Sequence, residues 1–174
     1  MKVLYDPQAF EMQTHGGVSR CFAELYKHMP AFVDAQIPIK ETDNVYLQEL
    51  GFPVTGDLYK NFLCAKDSKL KHFLFKLTYN LKYGDFSRWD KRPLINRNEA
   101  KSVIKKGDYD IFHPTFFDDY FLRLIGKKPF VITVHDMIPE IFSMDAPQAQ
   151  QKLAVIPKAT HLIAVSEQTK KDLV

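Results

Sequence analysis

The feature that most constrains this chain is a repeated alternation. A short apolar, β-prone run stops on a polar residue, and a helix-period segment follows. Lys2-Val3-Leu4-Tyr5 opens the chain and ends on Asp6. Residues 110–113 end on His113, residues 130–134 end on His135-Asp136, and residues 162–165 end on Ser166-Glu167. A weaker second strand is expected at 35–39. Between them, Val18, Cys21, Phe22, Leu25, Tyr26 and Met29 recur at three- and four-residue spacing before Pro30, which predicts an amphipathic helix. Further helices are expected over 97–106, closed by Gly107 at the C′ position, over 148–158, and from Ser166 as N-cap with Glu167 in the first turn. Apolar strands without polar alternation are buried on both faces, as in parallel sheets. The expected fold is therefore α/β, a doubly wound, mainly parallel sheet with flanking helices.

Composition excludes several alternatives. The chain has 174 residues, 45% hydrophobic and 26% charged, which suits one soluble domain with its own core and not disorder or a coiled coil. No run of 18 apolar residues reads as a membrane span. Asp6 and Pro7 interrupt the stretch where a signal peptide needs apolar residues, so a cytoplasmic location is expected. Cys21 and Cys64 make no disulfide framework, and Cys21 is expected in the buried face of its helix. There is no CxxC and no HExxH, and no Asp-x-Asp stands where metal-dependent chemistry would need one, so neither a metal nor a cofactor is expected; Asp118-Asp119 reads as a loop. The net charge of +3 is uneven. Bases crowd the region near 60–106, where the only acids are Asp67, Asp85, Asp90 and Glu99. Lysines there interleave with Phe73, Phe75, Tyr79, Tyr83, Phe86 and Trp89, and Leu70, Phe73, Leu74, Leu77 and Leu81 share a helical face. Such a face either packs its aromatics inward or meets an acceptor or an anionic membrane. Nucleic acid is not expected at a pI of about 8.7.

In an open parallel sheet, ligands bind outside the carboxyl ends of the strands. That rule gathers the candidate residues onto one edge. Residues 6–17 read as a loop ending in Gly16-Gly17, which lets backbone amides approach an anion at the start of the next helix; a tight turn without a ligand is the alternative. Arg20 lies in that helix's first turn, unfavourable for the helix dipole, which suggests an anionic partner or simply a solvated side chain. His135 is a candidate general base or polar orienting group. Asp136 either orients it or caps the following turn. His113, Ser166 and Glu167 face the same edge.

Three segments resemble glycosyltransferase family 4, retaining enzymes with two Rossmann-like domains: Gln13-Thr14-His15-Gly16-Gly17-Val18-Ser19-Arg20, Thr133-Val134-His135-Asp136 and Val165-Ser166-Glu167-Gln168-Thr169-Lys170. The resemblance implies that residues 1–174 form a single Rossmann-like, acceptor-side N-terminal domain. A donor-binding C-terminal domain would then be expected beyond Val174, and this half would be inactive alone. It implies a nucleotide-sugar donor, a glycan or lipid-linked acceptor, and a place in cell-surface polysaccharide synthesis, at the inner face of the membrane if the basic region meets lipid. Gly16, Gly17 and Arg20 would lie at the donor phosphates or acceptor, His135 with Asp136 near the transferred sugar, and His113, Ser166 and Glu167 along the cleft. A nucleotide-sugar epimerase and a basic membrane-surface module are the competing readings.

Overall fold

A computed structural model describes residues 1–53, 92–142 and 147–173. The basic-aromatic segment 60–91 and its expected helical face at 70–81 lie outside the described residues, as does Cys64.

Among the described residues five strands carry the fold: β1 (Lys2–Tyr5), β2 (Asp34–Gln36), β3 (Ile111–His113), β4 (Val131–Val134) and β5 (His161–Ala164). β1 pairs in parallel with β2 on one side and β3 on the other, and β4 pairs in parallel with β5. A parallel bridge from Phe112 to Phe130 and a bond from the Phe112 amide to the Pro129 carbonyl (3.1 Å) bring the two groups together. The strands therefore run β2-β1-β3-β4-β5, with a topological switch point between β1 and β3. This is the expected doubly wound parallel architecture.

Strand periodicity divides the core. Leu4 points into one cluster with Phe112, Phe121, Ile132, Val134 and Val155. Val3 and Tyr5 point into the other with Phe10, Phe22, Ile37 and Leu47. Successive strand side chains alternate faces, so an unbroken apolar run serves two cores at once.

The helices are α1 (Gln8–Met12), α2 (Gly17–Lys27), α3 (Val45–Glu49), α4 (Arg92–Lys106), α5 (Ile138–Ile141), α6 (Pro147–Val155) and α7 (Glu167–Asp172). Several local expectations hold. Gly107 adopts φ 69° and its amide bonds back to Val103 and Ile104 carbonyls, ending α4 as a C′ glycine should. Ser166 caps α7, its hydroxyl accepting from the Thr169 amide at 3.0 Å.

Other expectations need correction. Residues 6–17 are not all loop, because α1 forms at once after Pro7, whose fixed φ suits a helix start. Cys21 is only partly buried and Leu25 is 41% exposed. Ser19, Phe22 and Ala23 form the buried stripe of α2, because the helix lies on the sheet along a narrower line than its apolar spacing suggests. β2 is shorter than expected. α4 begins five residues earlier than 97, while α6 ends at Val155 and continues as a 3₁₀ turn over Ile156–Lys158. Asp118 caps another 3₁₀ turn, Asp119–Phe121, by accepting from the Tyr120 amide.

Candidate functional site

All five strands being parallel, their carboxyl ends share one edge, and the candidate residues lie there. The edge has two very different parts.

At the switch point, the end of β1 is closed by the protein's own polar groups. Asp6 is fully buried. Its Oδ1 accepts from the Thr115 amide and hydroxyl, both at 2.8 Å; its Oδ2 accepts from Gln8 Nε2 at 2.6 Å and the Tyr120 hydroxyl at 3.2 Å. The loop after β1 is thereby stapled to the loop after β3. Arg97 of α4 pairs with Asp118 and lies over the Tyr120 ring, 4.7 Å from its centroid. Glu11 of α1 adds a carboxyl beside this network. Burial and the Asp6 charge push it up to about 8. Burial likewise raises Asp6 against the hydrogen bonds that favour its charge.

The second part surrounds His135, immediately after β4. Its ring is half-buried and packs edge-on against Phe22 of α2, 6.2 Å between centroids. Phe22 also meets His113 at 5.2 Å, and His113 stacks obliquely on Tyr5 at 5.3 Å. His113 is buried, with Nε2 2.9 Å from Thr133 Oγ1. Burial, helped by His135, lowers it to about 4, so it is a neutral imidazole at neutral pH. His135 is also shifted down, by burial first and by Lys152, with Asp136 opposing. Its Nε2 is buried and has no hydrogen-bond partner among the described residues.

The backbone of this segment is tied from two sides. The Thr169 hydroxyl of α7 donates to the His135 carbonyl at 3.3 Å. Lys152 of α6 donates to the Asp136 carbonyl at 2.7 Å. Asp136 Oδ1 accepts from the Ile138 amide at 3.2 Å, the turn-capping arrangement of an aspartate two residues ahead. Among the described residues, no hydrogen bond joins its carboxylate to the His135 ring.

The glycine loop enters through α2. Gly16 has φ 177° and ψ 165°, ordinary extended backbone. What favours glycine is space: a Cβ there would run into the Gln13 carboxamide, whereas Gly17 opens onto empty space. Gln13 Oε1 accepts from the Ser19 amide at 3.0 Å, so a side chain from six residues upstream caps the helix. The Arg20 amide goes to the Gly16 carbonyl at 2.9 Å. The first-turn amides of Gly17 and Val18 have no intrahelical partner. The Arg20 side chain, Ser166 and Glu167 are exposed. The structure thus brings His113, His135 and Asp136 together, joins Ser166 to them through Thr169, and places the glycine loop at the head of the helix whose Phe22 touches both histidines.

The sequence reading missed Asp6, Glu11 and Lys152. Asp6 directly follows a buried strand at the switch point, which was the available signal; nothing local marks Glu11 or Lys152. Among the described residues, no group of three His, Cys, Asp or Glu side chains could hold a metal, and no helix is long and apolar enough to cross a membrane. An open concavity of about 480 Å³ lies at the opposite, amino edge beside Phe130 and Thr160, lined by Arg123, Lys127 and Lys158. It shares no residue with the His135 segment.

The profile of Glycosyltransferase Family 4 matches residues 65–174, which is 110 of the 174 residues. The chain belongs to that family. No curated protein and no solved structure matches it. The matched stretch contains His113, His135, Asp136, Ser166 and Glu167; the glycine loop lies before it. The domain is thus a glycosyltransferase domain, and a sugar donor and an acceptor are its substrates in general terms.

Proposed function

We propose that the edge around His135 is where the transferred sugar meets its acceptor. In this reading the protein moves a sugar from a nucleotide-sugar donor to a glycan or lipid-linked acceptor, with retention. One observation carries it: His135 Nε2 is buried and has no partner among the described residues, in an otherwise well-tied segment. An unmet buried polar atom costs about 1–3 kcal/mol. A ligand hydroxyl that pairs with the imidazole as the ring turns recovers that cost, and a neutral ring can donate or accept in doing so. The downward shift of His135 keeps the ring neutral near pH 7.

The free amides at the head of α2 suit the charge that develops on a leaving diphosphate. Exposed Ile138, Ile141 and Phe142, 53%, 54% and 71% accessible beside this edge, support a cleft closed by another surface. We read that surface as a second, donor-binding domain. The location at an inner membrane face and a role in polysaccharide synthesis belong to the same proposal. The test is nucleotide release from a panel of nucleotide sugars by the protein carrying this domain, with and without acceptors. Release from one donor that is lost in His135→Ala supports the reading. Release that is indifferent to His135→Ala sinks it.

A further inference from the structure

Lys152 is an unusual residue for its place. Lysine is almost never fully buried unless paired, yet the Lys152 side chain is 5% exposed. Its ammonium lies 2.7 Å from the Asp136 carbonyl, 3.2 Å from Glu140 Oε2 and 3.5 Å from Asp136 Oδ1. It also sits over the Phe117 ring, 5.5 Å from the centroid. An ammonium has three donors and no acceptor, and here all its polar contacts fall on one short segment. That segment, residues 136–140, directly follows His135. With the Thr169 bond to the His135 carbonyl, the peptide is gripped from α6 and α7 while the imidazole Nε2 has no partner among the described residues.

We propose that Lys152 is a positioning residue for His135, holding the turn after β4 against α6 and engaging the charges of Asp136 and Glu140. The proposal rests on reading His135 as the group that meets substrate. Two physical effects follow. The turn cannot swing away from the sheet edge, so the ring is presented at one place. The ammonium also repels a proton from the imidazole and so offsets part of the pull of Asp136. The charged and titratable groups bearing on that ring are His113 from β3, Asp136 from its own loop and Lys152 from α6.

The experiment is a ring-signal NMR titration of His135, assigned with His135→Gln, in Lys152→Met and Lys152→Arg, alongside transfer kinetics of the protein carrying this domain. Lys152→Arg keeps the cation, so the His135 midpoint is expected to stay depressed and transfer to survive. Lys152→Met is expected to raise the midpoint, because the pull of Asp136 is no longer offset by the ammonium, while burial still holds it below the ordinary imidazole value of about 6.5. With it, kcat falls by about tenfold or more while KM changes little, as for an interaction realised in the transition state. An unmoved midpoint overturns the proposal. Removing one partner of a buried pair can unfold a domain, so Lys152→Met with Glu140→Gln is measured beside it. Asp136 remains there, and an unmoved midpoint again overturns the proposal. A raised midpoint with normal transfer by His135→Ala leaves Lys152 positioning the ring and instead removes the substrate role of His135.

Discussion

The ends of β1 and β4 lie on the same sheet edge and are built from the same kind of sequence, an apolar strand running into an acid or a histidine. They end in opposite states. At β1, Asp6 is fully buried, and Thr115, Gln8 and Tyr120 all donate to it. At β4, His135 is half-buried, its peptide is tied and its Nε2 has no partner among the described residues. The switch point, where a nucleotide would first be sought, is filled by a structural staple. The unpaired imidazole nitrogen lies one strand further along. In the proposed reading the fully hydrogen-bonded position serves stability and the unpaired ring meets a ligand.

Substitution at the two ends should separate these roles. Asp6→Ala takes the acceptor from the Thr115 amide and the Tyr120 hydroxyl, while Gln8 Nε2 keeps the Asp118 carbonyl. We expect a loss of about 3–5 kcal/mol or failure to fold, read by chemical denaturation. His135→Ala should leave the denaturation midpoint almost unchanged yet lower transfer by about 100-fold, roughly 2.7 kcal/mol of transition-state stabilisation. If Asp6→Ala folds normally, or His135→Ala unfolds the domain, the contrast is wrong.

A pH series sharpens the same comparison. Glu11, beside the staple, has its folded-state value raised from 4.5 to about 8. The folded state thus holds a proton that the unfolded chain releases, so stability should fall as pH rises from about 4.5 toward 8, by at most about 1.4 kcal/mol per pH unit. Glu11→Gln should reduce that slope, most of all above pH 6.5. His113 runs the other way: lowered from 6.5 to about 4, its contribution is present above about 6.5 and lost as pH falls toward 4. Denaturation across pH 4 to 9 in wild type and Glu11→Gln checks both signs; an unchanged slope above pH 6.5 in the variant would count against the Glu11 assignment. The smallest effect is expected at Ser166→Ala, about 1 kcal/mol from loss of the α7 cap, visible by denaturation. Because α7 carries Thr169, hydrogen exchange at the His135 segment should also rise.

Much of this was legible because it is local. Strand runs such as Val131–Val134, the helix stop at Gly107 and the cap at Ser166 depend on near neighbours and on backbone preferences that each residue carries with it. The candidate edge was legible for a related reason: parallel strands put every carboxyl end on one side, so His113, His135 and Ser166 could be placed together from order alone. The burial of α2 was less so. Cys21 and Leu25 share the apolar spacing of Phe22, but Tyr5 and His113 offer only a narrow contact line, and Phe22 takes it.

The sequence by itself determined an alternating parallel fold, its local starts and stops, and the family to which its last two thirds belong. Only the tertiary structure decided which strand end is sealed and which is open. Asp6 meets Thr115 across 109 residues, and Lys152 meets Asp136 across 16. Neither pairing has a period or a motif. Each exists because burial strips water from a charged group and leaves it to find its partners wherever the fold has brought them.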